Sequence, residues 1–308
     1  MRVRLDQIPE PGRRALAALA GLGGPARLAW VVGGALRELL SGGAAADLDL
    51  AVAGGALALG RRVADRLDAS FVVLDEVRGA ARIVPRGAGV TLDLVDLRAA
   101  TLEGDLRARD FTVNALAAPL EELVRDGAAT IVDATGGLDD LRDRVVRPCG
   151  PSAITDDPVR ALRGVRLSLR PGWRMHPDAE TAIRAAAHLI TRVAPERIRD
   201  ELVGILGEPV AGAGLRALDR LGVLAVVLPE SLPMRATAQP LPHHFDVWEH
   251  SLRAVEGVDA LLAELDALAP WGPGLRAHLA LDLGGGLTRR EALKLAALLH
   301  DVAKPETR

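Results

Sequence analysis

Two glycines and two aspartates lie close together early in the chain, in a spacing that suits work on phosphate. Gly33 and Gly34 follow a short apolar run, and Asp47 and Asp49 are two residues apart in an alternating segment. Glycines let a backbone approach a phosphate, and the start of a following helix favours an anion. Carboxylates two apart on a strand share one face, where a divalent cation between them would offset their repulsion. The pattern predicts metal-assisted phosphoryl transfer; the alternative is a glycine-rich turn before an edge strand with surface aspartates.

A third carboxylate, Asp93, belongs to a second acidic strand, between the apolar residues Leu92 and Leu94. A charge between two core-directed neighbours is costly unless it is paired or bound to a metal. We therefore expect Asp93 to join Asp47 and Asp49 as a catalytic carboxylate. The alternative is ordinary alternation in a half-exposed strand. Asp96 faces the other way and is expected to be structural or solvated.

The sequence pattern predicts alternating strands and helices over about the first 120 residues, which carry these side chains. After about residue 138 the pattern predicts helices. The predicted strands are 28–32, 47–52, 71–74, 80–84 and 91–97. The predicted helices are 13–22, 35–40, 56–67, 156–170, 178–190, 195–207, 212–222, 245–266 and 289–303. Four prolines, at 229, 233, 240 and 242, predict a linker before the last segment.

Composition narrows the class of protein. A chain of 308 residues with 49% hydrophobic and 26% charged residues is globular and long enough for two or three domains. Its net charge of −3 means that any nucleic-acid contact must come from a local arginine surface. The single cysteine, Cys149, excludes a disulfide framework and a cysteine zinc site. No run suits a membrane span or a signal peptide, so we expect a cytoplasmic protein without a membrane partner.

Four motifs in order resemble the class II tRNA nucleotidyltransferases and bacterial poly(A) polymerases, over about residues 28–207. They are Gly33–Leu40 with Asp47 and Asp49, then Asp105–Leu116, Asp156–Arg166 and Glu196–Leu202. The resemblance implies an α+β protein with a mixed α/β, polymerase beta-like nucleotidyltransferase head at residues 1–138. An all-α neck and body that binds nucleotide and RNA would follow at residues 139–230.

The resemblance also implies roles for the residues of the head. Asp47 and Asp49 would bind Mg²⁺ in a two-metal site, with CTP and ATP as substrates. Nucleotide-binding roles fall to Gly33, Gly34, Arg37, Arg109, Asp110 and Asn114. The family pattern has a pair of arginines where this chain has Ala108 and Arg109, so Asp110 and Asn114 are the better candidates for the ribose.

In the helical part, the resemblance assigns Asp157 and Arg160 to reading the base edge of the incoming nucleotide. They are three residues apart at a predicted helix start and hence neighbours on one face. An aspartate accepts from an exocyclic amine, and an arginine donates to ring nitrogen or carbonyl groups. The alternative is a surface ion pair. On the same helix, Arg163, Arg166 and Arg170 form an arginine stripe, which either lines a groove for triphosphate or RNA or is a solvated face.

The last segment, 241–308, resembles the opening of an HD metal-dependent phosphohydrolase domain. His250, His300 and Asp301 match early ligand positions, and imidazoles with a carboxylate suit a transition metal or Mg²⁺. The family pattern needs a further aspartate downstream, whereas the chain ends at Arg308. We therefore expect a partial, truncated HD segment without competent hydrolase activity.

The leading expectation is an enzyme that adds C, A or both to tRNA 3′ ends and releases pyrophosphate. A poly(A) polymerase of the same family is the near alternative, and an HD-type phosphohydrolase is the alternative from another class. The expected partners are the tRNA 3′ end and nucleoside triphosphates, with no protein partner evident.

Overall fold

The computed structural model describes residues 1–45, 47–86, 89–239 and 244–307. The chain divides into two compact units, Met1–Ala153 and Ile154–Arg308. The first unit mixes helices with a sheet and the second is mainly helical, which confirms the expected α+β class. The expected domain limits after residues 138 and 230 stay predictions. Pro240 and Pro242 of the expected linker lie outside the described residues.

The described part of the first unit contains ten strands. They are β1 (Arg2–Arg4), β2 (Ala29–Val32), β3 (Asp47–Val52), β4 (Ser70–Asp75), β5 (Ala80–Val84), β6 (Thr91–Asp96), β7 (Leu116–Pro119), β8 (Ala128–Thr130), β9 (Val132–Asp133) and β10 (Val145–Val146). Seven of them form the main sheet, in the order β4-β5-β6-β3-β2-β7-β9. Within this sheet β3 and β6 are parallel, and the other neighbours run antiparallel.

Strand β3 separates the core from the polar face of the sheet. Leu48 and Leu50 are fully buried, whereas Asp47 is exposed and Asp49 is half-buried. Side chains alternate between the two faces of a strand, so both aspartates share the face opposite the leucines. A Cβ on Gly12 would lie 3.2 Å from Cδ1 of Leu48, which places the helix carrying Gly12 directly over the buried face.

The described part of the first unit also contains six helices. They are α1 (Glu10–Ala20), α2 (Gly33–Leu40), α3 (Ala56–Leu67), α4 (Leu102–Arg107), α5 (Leu120–Asp126) and α6 (Gly137–Arg142). Helix α2 begins directly after β2, so Gly33 is both the strand exit and the helix start. Asp96 accepts a 2.8 Å hydrogen bond from the Ala56 amide at the start of α3. This contact gives Asp96 a structural role, as its facing indicated.

The remaining helices follow a four-residue helix, α7 (Ala153–Asp156), at the boundary of the units. They are α8 (Arg160–Ser168), α9 (Pro177–Ala186), α10 (Pro195–Gly207), α11 (Ala211–Arg220), α12 (Leu224–Val227), α13 (Ser231–Met234), α14 (Val247–Ala263), α15 (Gly272–Leu279), α16 (Arg289–Leu299) and α17 (Lys304–Thr307), with a two-residue strand β11 (Arg174–Met175). The helix expected to begin at Asp156 begins at Arg160, because Pro158 lacks an amide proton and disfavours helical backbone before it. None of the helices in the described ranges is long and apolar enough to cross a membrane.

Adjacent positions on β3 should differ in how strongly a substitution lowers the free energy of unfolding. Leu48→Ala is expected to lower the free energy of unfolding by about 3 kcal/mol, because it opens a cavity under α1. Asp47→Ala removes an exposed carboxylate beside another carboxylate and should leave the free energy of unfolding nearly unchanged. Urea denaturation of both variants, in buffer without divalent cations, provides the comparison. Equal losses in the two variants would contradict the assigned faces of β3.

Candidate active site

Three aspartates, Asp47, Asp49 and Asp93, line the polar face of the sheet and are called here the carboxylate row. The parallel pairing of β3 with β6 puts Asp49 directly opposite Asp93. Paired positions on neighbouring strands project from the same face, so these two side chains face the same space. Asp47 lies two residues before Asp49 and is exposed, whereas Asp49 and Asp93 are half-buried. The structure thus brings the three sequence-predicted carboxylates to one face of the sheet, on its two central strands β3 and β6.

The carboxyl group of Asp49 has a raised pKa. Burial raises the pKa of the Asp49 carboxyl above its ordinary value, and the negative charges of Asp93 and Asp47 raise it further. The positive charges of Arg109 and Arg82 offset only part of this effect. A divalent cation held by Asp47 and Asp49 would relieve the repulsion, and carboxylate oxygens are the ligands that Mg²⁺ prefers. The donor set therefore fits the metal that the resemblance implies.

Gly33 lets the start of α2 come close to Asp49. Its backbone has a φ of 73°, which glycine adopts without strain. A Cβ at this position would lie 2.9 Å from Oδ2 of Asp49 and 3.6 Å from Nη1 of Arg109. Any side chain here would fill the space beside the carboxylate. The first glycine of the predicted pair is therefore a steric requirement of the site, whereas Gly34 approaches the guanidinium of Arg37.

Arg109 is fixed beside the carboxylate row by Asp105. Its Nε and Nη2 both donate to Oδ2 of Asp105, at 3.1 and 3.0 Å. Both side chains are largely buried, and Oδ1 of Asp105 accepts a hydrogen bond from the Arg98 amide at 3.0 Å. The sequence interpretation left Asp105 without a role. Its spacing of four residues from Arg109 was the signal that could have found it.

A buried polar network connects three of the predicted nucleotide-binding residues. Oδ1 of Asp110 accepts hydrogen bonds from the Phe111 amide at 2.7 Å and from Nδ2 of Asn114 at 3.2 Å. Oδ1 of Asn114 accepts from Nη1 of Arg37, and Nη2 of Arg37 donates to Oε1 of Glu38 at 2.8 Å. The network fixes the rotamers of Asp110 and Asn114 in a low-dielectric setting, where satisfied hydrogen bonds are strong.

In the second unit, Asp157 is held by an arginine that the sequence interpretation did not single out. Its Oδ2 accepts a hydrogen bond from Nη2 of Arg197 at 2.7 Å, whereas Nε of Arg160 lies 3.8 Å away. A cavity of about 370 Å³ adjoins this pair, and Asp157, Arg192 and Arg197 contribute to its lining. Arg197 belongs to the fourth motif, so its position in that motif was the available signal.

Two arginines of the predicted stripe on α8 form ion pairs with one glutamate of α10. Nε of Arg163 lies 2.9 Å from Oε1 of Glu201, and Nη2 of Arg166 lies 3.2 Å from Oε2 of the same carboxylate. Glu201 is a buried residue of α10. A single carboxylate thus fixes both arginines against α10. The stripe is neither fully solvated nor fully free to contact a ligand.

The three residues of the HD resemblance also meet. His250, His300 and Asp301 each offer a ligand atom, and these atoms lie within 4.8 Å of one another. Nε2 of His300 is 3.2 Å from Nε2 of His250 and 3.2 Å from Oδ2 of Asp301. Burial raises the pKa of Asp301, but the hydrogen bond from Lys304 and the charge of His300 outweigh it and leave the pKa below its ordinary value. The ammonium group of Lys304 already neutralises much of this carboxylate.

Comparison with known proteins supports the fold. Residues 90–147 match the family model described as the poly A polymerase head domain. Residues 172–234 match the model described as the probable RNA and SrmB-binding site of polymerase A. A solved structure titled tRNA-processing enzyme (apo form I) superimposes with a TM-score of 0.70 at 22% identity, over 96% of this chain and 73% of that one. The fold is therefore a nucleotidyltransferase head followed by a helical body.

Relatives identify the family. The chain is 32% identical to a CC-adding tRNA nucleotidyltransferase of Deinococcus radiodurans, over 96% of this chain and 76% of the relative. It is 34% identical to a CC-adding enzyme of Geobacter sulfurreducens, over 98% of this chain and 65% of the relative. An A-adding tRNA nucleotidyltransferase of Deinococcus radiodurans is 37% identical, over 90% of this chain and 57% of the relative. The chain belongs to the tRNA nucleotidyltransferase and poly(A) polymerase family. It spans roughly 57–65% of the length of several of these relatives.

The pKa of Asp49 predicts how stability changes with pH. A carboxyl whose pKa is raised on folding holds its proton more tightly in the folded chain, so its contribution is favourable at low pH and is lost as the pH rises through the folded-state pKa. Asp49→Asn should therefore raise the free energy of unfolding at neutral pH, and the gain should shrink towards acid pH. Urea denaturation with a chelator present, over the acidic to neutral range, measures the difference. A difference that does not change with pH would contradict the raised pKa.

Proposed function

We propose that this chain is a template-independent nucleotidyltransferase that adds C, A or both to the 3′ end of tRNA. The substrates would be CTP and ATP, and the released product would be pyrophosphate. The observation that carries the proposal is the carboxylate row, in which Asp49 lies opposite Asp93 and beside the start of α2. Support also comes from the names of the relatives, which are CC-adding and A-adding tRNA nucleotidyltransferases.

Asp47 and Asp49 are the residues proposed to hold Mg²⁺. Bound there, the metal would supply positive charge for the triphosphate and favour the deprotonated form of the primer 3′-hydroxyl. The chain contributes position and polarity. Gly33 clears the space beside Asp49, and the start of α2 offers backbone amides to a phosphate. Arg109, held by Asp105, adds a fixed positive charge next to the reacting groups.

The buried network supports the assignment of Asp110 and Asn114 to the ribose. Arg37 reaches Asn114 and Asn114 reaches Asp110, so the proposed ribose partners are restrained before any nucleotide arrives. Pre-organised groups lose less entropy on binding than mobile ones. Arg37 acts in this proposal as a positioning residue, since its guanidinium is buried against Asn114 and Glu38.

For base recognition, we assign Asp157 as acceptor and Arg160 as donor. We assign Arg163 and Arg166 to contacts with the triphosphate or the RNA backbone. Glu201 fixes the orientation of both arginines. A carboxylate between two guanidiniums limits the geometries that each arginine can adopt, which favours one orientation over a flexible basic surface. A terminal tRNA nucleotide and an incoming nucleotide are the partners that this chemistry fits.

A second candidate function, HD-type phosphohydrolase activity, rests on the meeting of His250, His300 and Asp301. Two imidazoles and a carboxylate within 4.8 Å suit a divalent transition metal. The lysine on Asp301 opposes it, because an ammonium group already occupies one side of that carboxylate. We rank this activity below nucleotide transfer.

Primer extension separates the candidates. Three tRNA transcripts, ending at the discriminator base, at C and at CC, are incubated with labelled CTP or ATP. The chain is expected to add a limited number of nucleotides, and Asp49→Ala is expected to lower incorporation by at least about a thousandfold, because the cation would lose a principal ligand. Asp96→Ala is the matched control, since this aspartate faces the other side of the sheet and caps α3.

Other results would support one of the alternative functions or contradict the proposed site. Long A tails on any primer would favour the poly(A) polymerase. Phosphate release from a phosphomonoester, without incorporation and lost in His300→Ala, would favour the phosphohydrolase. Full incorporation by both Asp47→Ala and Asp49→Ala would remove the carboxylate row from the mechanism.

A further inference from the structure

Arg82 on β5 is bound to the carboxylate row and has no part in the motifs described above. The antiparallel pairing of β5 with β6 puts Arg82 directly opposite Asp93. Its Nε donates to Oδ1 of Asp93 at 2.8 Å, and its Nη2 donates to Oδ2 at 2.7 Å. Both oxygens of the carboxylate are thus engaged by one planar guanidinium, the strongest geometry available to this pair of side chains.

The pairing divides the carboxylate row into two parts. In the described residues, the group of three ligand side chains that converge within 4.8 Å is His250, His300 and Asp301. Asp47, Asp49 and Asp93 do not converge in this way. Asp93 is bound by a guanidinium on both oxygens, whereas Asp49 lies opposite Asp93 and two residues after Asp47. Asp47 and Asp49 are therefore the carboxylates of the row that we assign to the cation.

A cation that used Asp93 as a ligand would have to bind an oxygen that Arg82 already contacts. Each carboxylate oxygen has two lone pairs, and the guanidinium uses one on each oxygen. A cation is therefore left only the other lone pairs, beside a positive charge that repels it. The side chain of Arg82 is 46% exposed and that of Asp93 is 25% exposed. The guanidinium therefore has room to leave, and solvent or a phosphate group can receive it.

We propose that Arg82 competes with a divalent cation for Asp93 and keeps this aspartate out of the metal site while no nucleotide is bound. The nucleotide-free chain then binds one cation at Asp47 and Asp49. Asp93 becomes a ligand only when the guanidinium moves, and an incoming triphosphate is the anion that can draw it away. Arg82 is a positioning residue in this scheme. The inference rests on the metal site of the proposed function, and its test does not depend on nucleotide transfer.

The test measures Mn²⁺ binding to the full chain by electron paramagnetic resonance of the free ion, without nucleotide or RNA. All proteins carry His300→Ala, so that the histidine cluster does not contribute. Arg82→Gln is expected to bind Mn²⁺ about tenfold more tightly, because it frees Asp93 and removes a nearby positive charge. Arg82→Lys keeps the charge without the two-pronged contact and should fall between Arg82→Gln and the parent. Arg78→Gln removes an exposed arginine outside the carboxylate row and should match the parent.

A double substitution isolates competition at Asp93 from the general effect of charge. If Arg82 acts mainly through Asp93, Arg82→Gln should tighten Mn²⁺ binding much less in the Asp93→Asn background than in the parent, because only the loss of its positive charge then contributes. Equal tightening in both backgrounds would overturn the inference, as would unchanged affinity in Arg82→Gln. Asp49→Asn tests the underlying site separately. If Mn²⁺ binding survives this substitution unchanged, the metal site of the proposed function fails, whatever Arg82 does.

Discussion

The parallel pairing of β3 with β6 is the constraint on which the rest of the site depends. It places Asp49 opposite Asp93 in the same row of the sheet, and burial makes the repulsion between two such carboxylates expensive. The surrounding residues reduce this repulsion. Arg82 pairs with Asp93 from β5, Arg109 contributes positive charge beside Asp49, and Gly33 leaves space next to the Asp49 carboxylate. The divalent cation proposed at Asp47 and Asp49 would offset the repulsion that remains.

The second unit uses the same principle with the charges exchanged. There two carboxylates fix three arginines in place. Glu201 holds Arg163 and Arg166, and Asp157 holds Arg197. The contact of Arg82 with Asp93 and the contacts of Glu201 with Arg163 and Arg166 join separate strands or helices, so each depends on how those elements pack. A substitution that shifts α10 would therefore disturb both Asp157 and the arginine stripe.

Short-range pattern was enough to predict much of the molecule. Alternation along β3 predicted which face carries Asp47 and Asp49, and helical periodicity predicted α10 within its observed bounds. The spacing of four motifs predicted the family. The partners of the site residues could not be predicted in this way. Arg82 meets Asp93 only because β5 pairs with β6 in one particular register, and a register shift of one residue would turn Arg82 to the other face. The Glu201 contacts likewise depend on how α8 packs against α10, which no local pattern encodes.

The central claim is that Asp47 and Asp49 hold the divalent cation used in nucleotide transfer. Anomalous diffraction from crystals grown with Mn²⁺ and a non-hydrolysable CTP or ATP analogue tests it most directly. We expect an anomalous peak in contact with the carboxylate oxygens of Asp47 and Asp49, next to the triphosphate. A map with its peak at His250, His300 and Asp301, and none at Asp47 and Asp49, would contradict it.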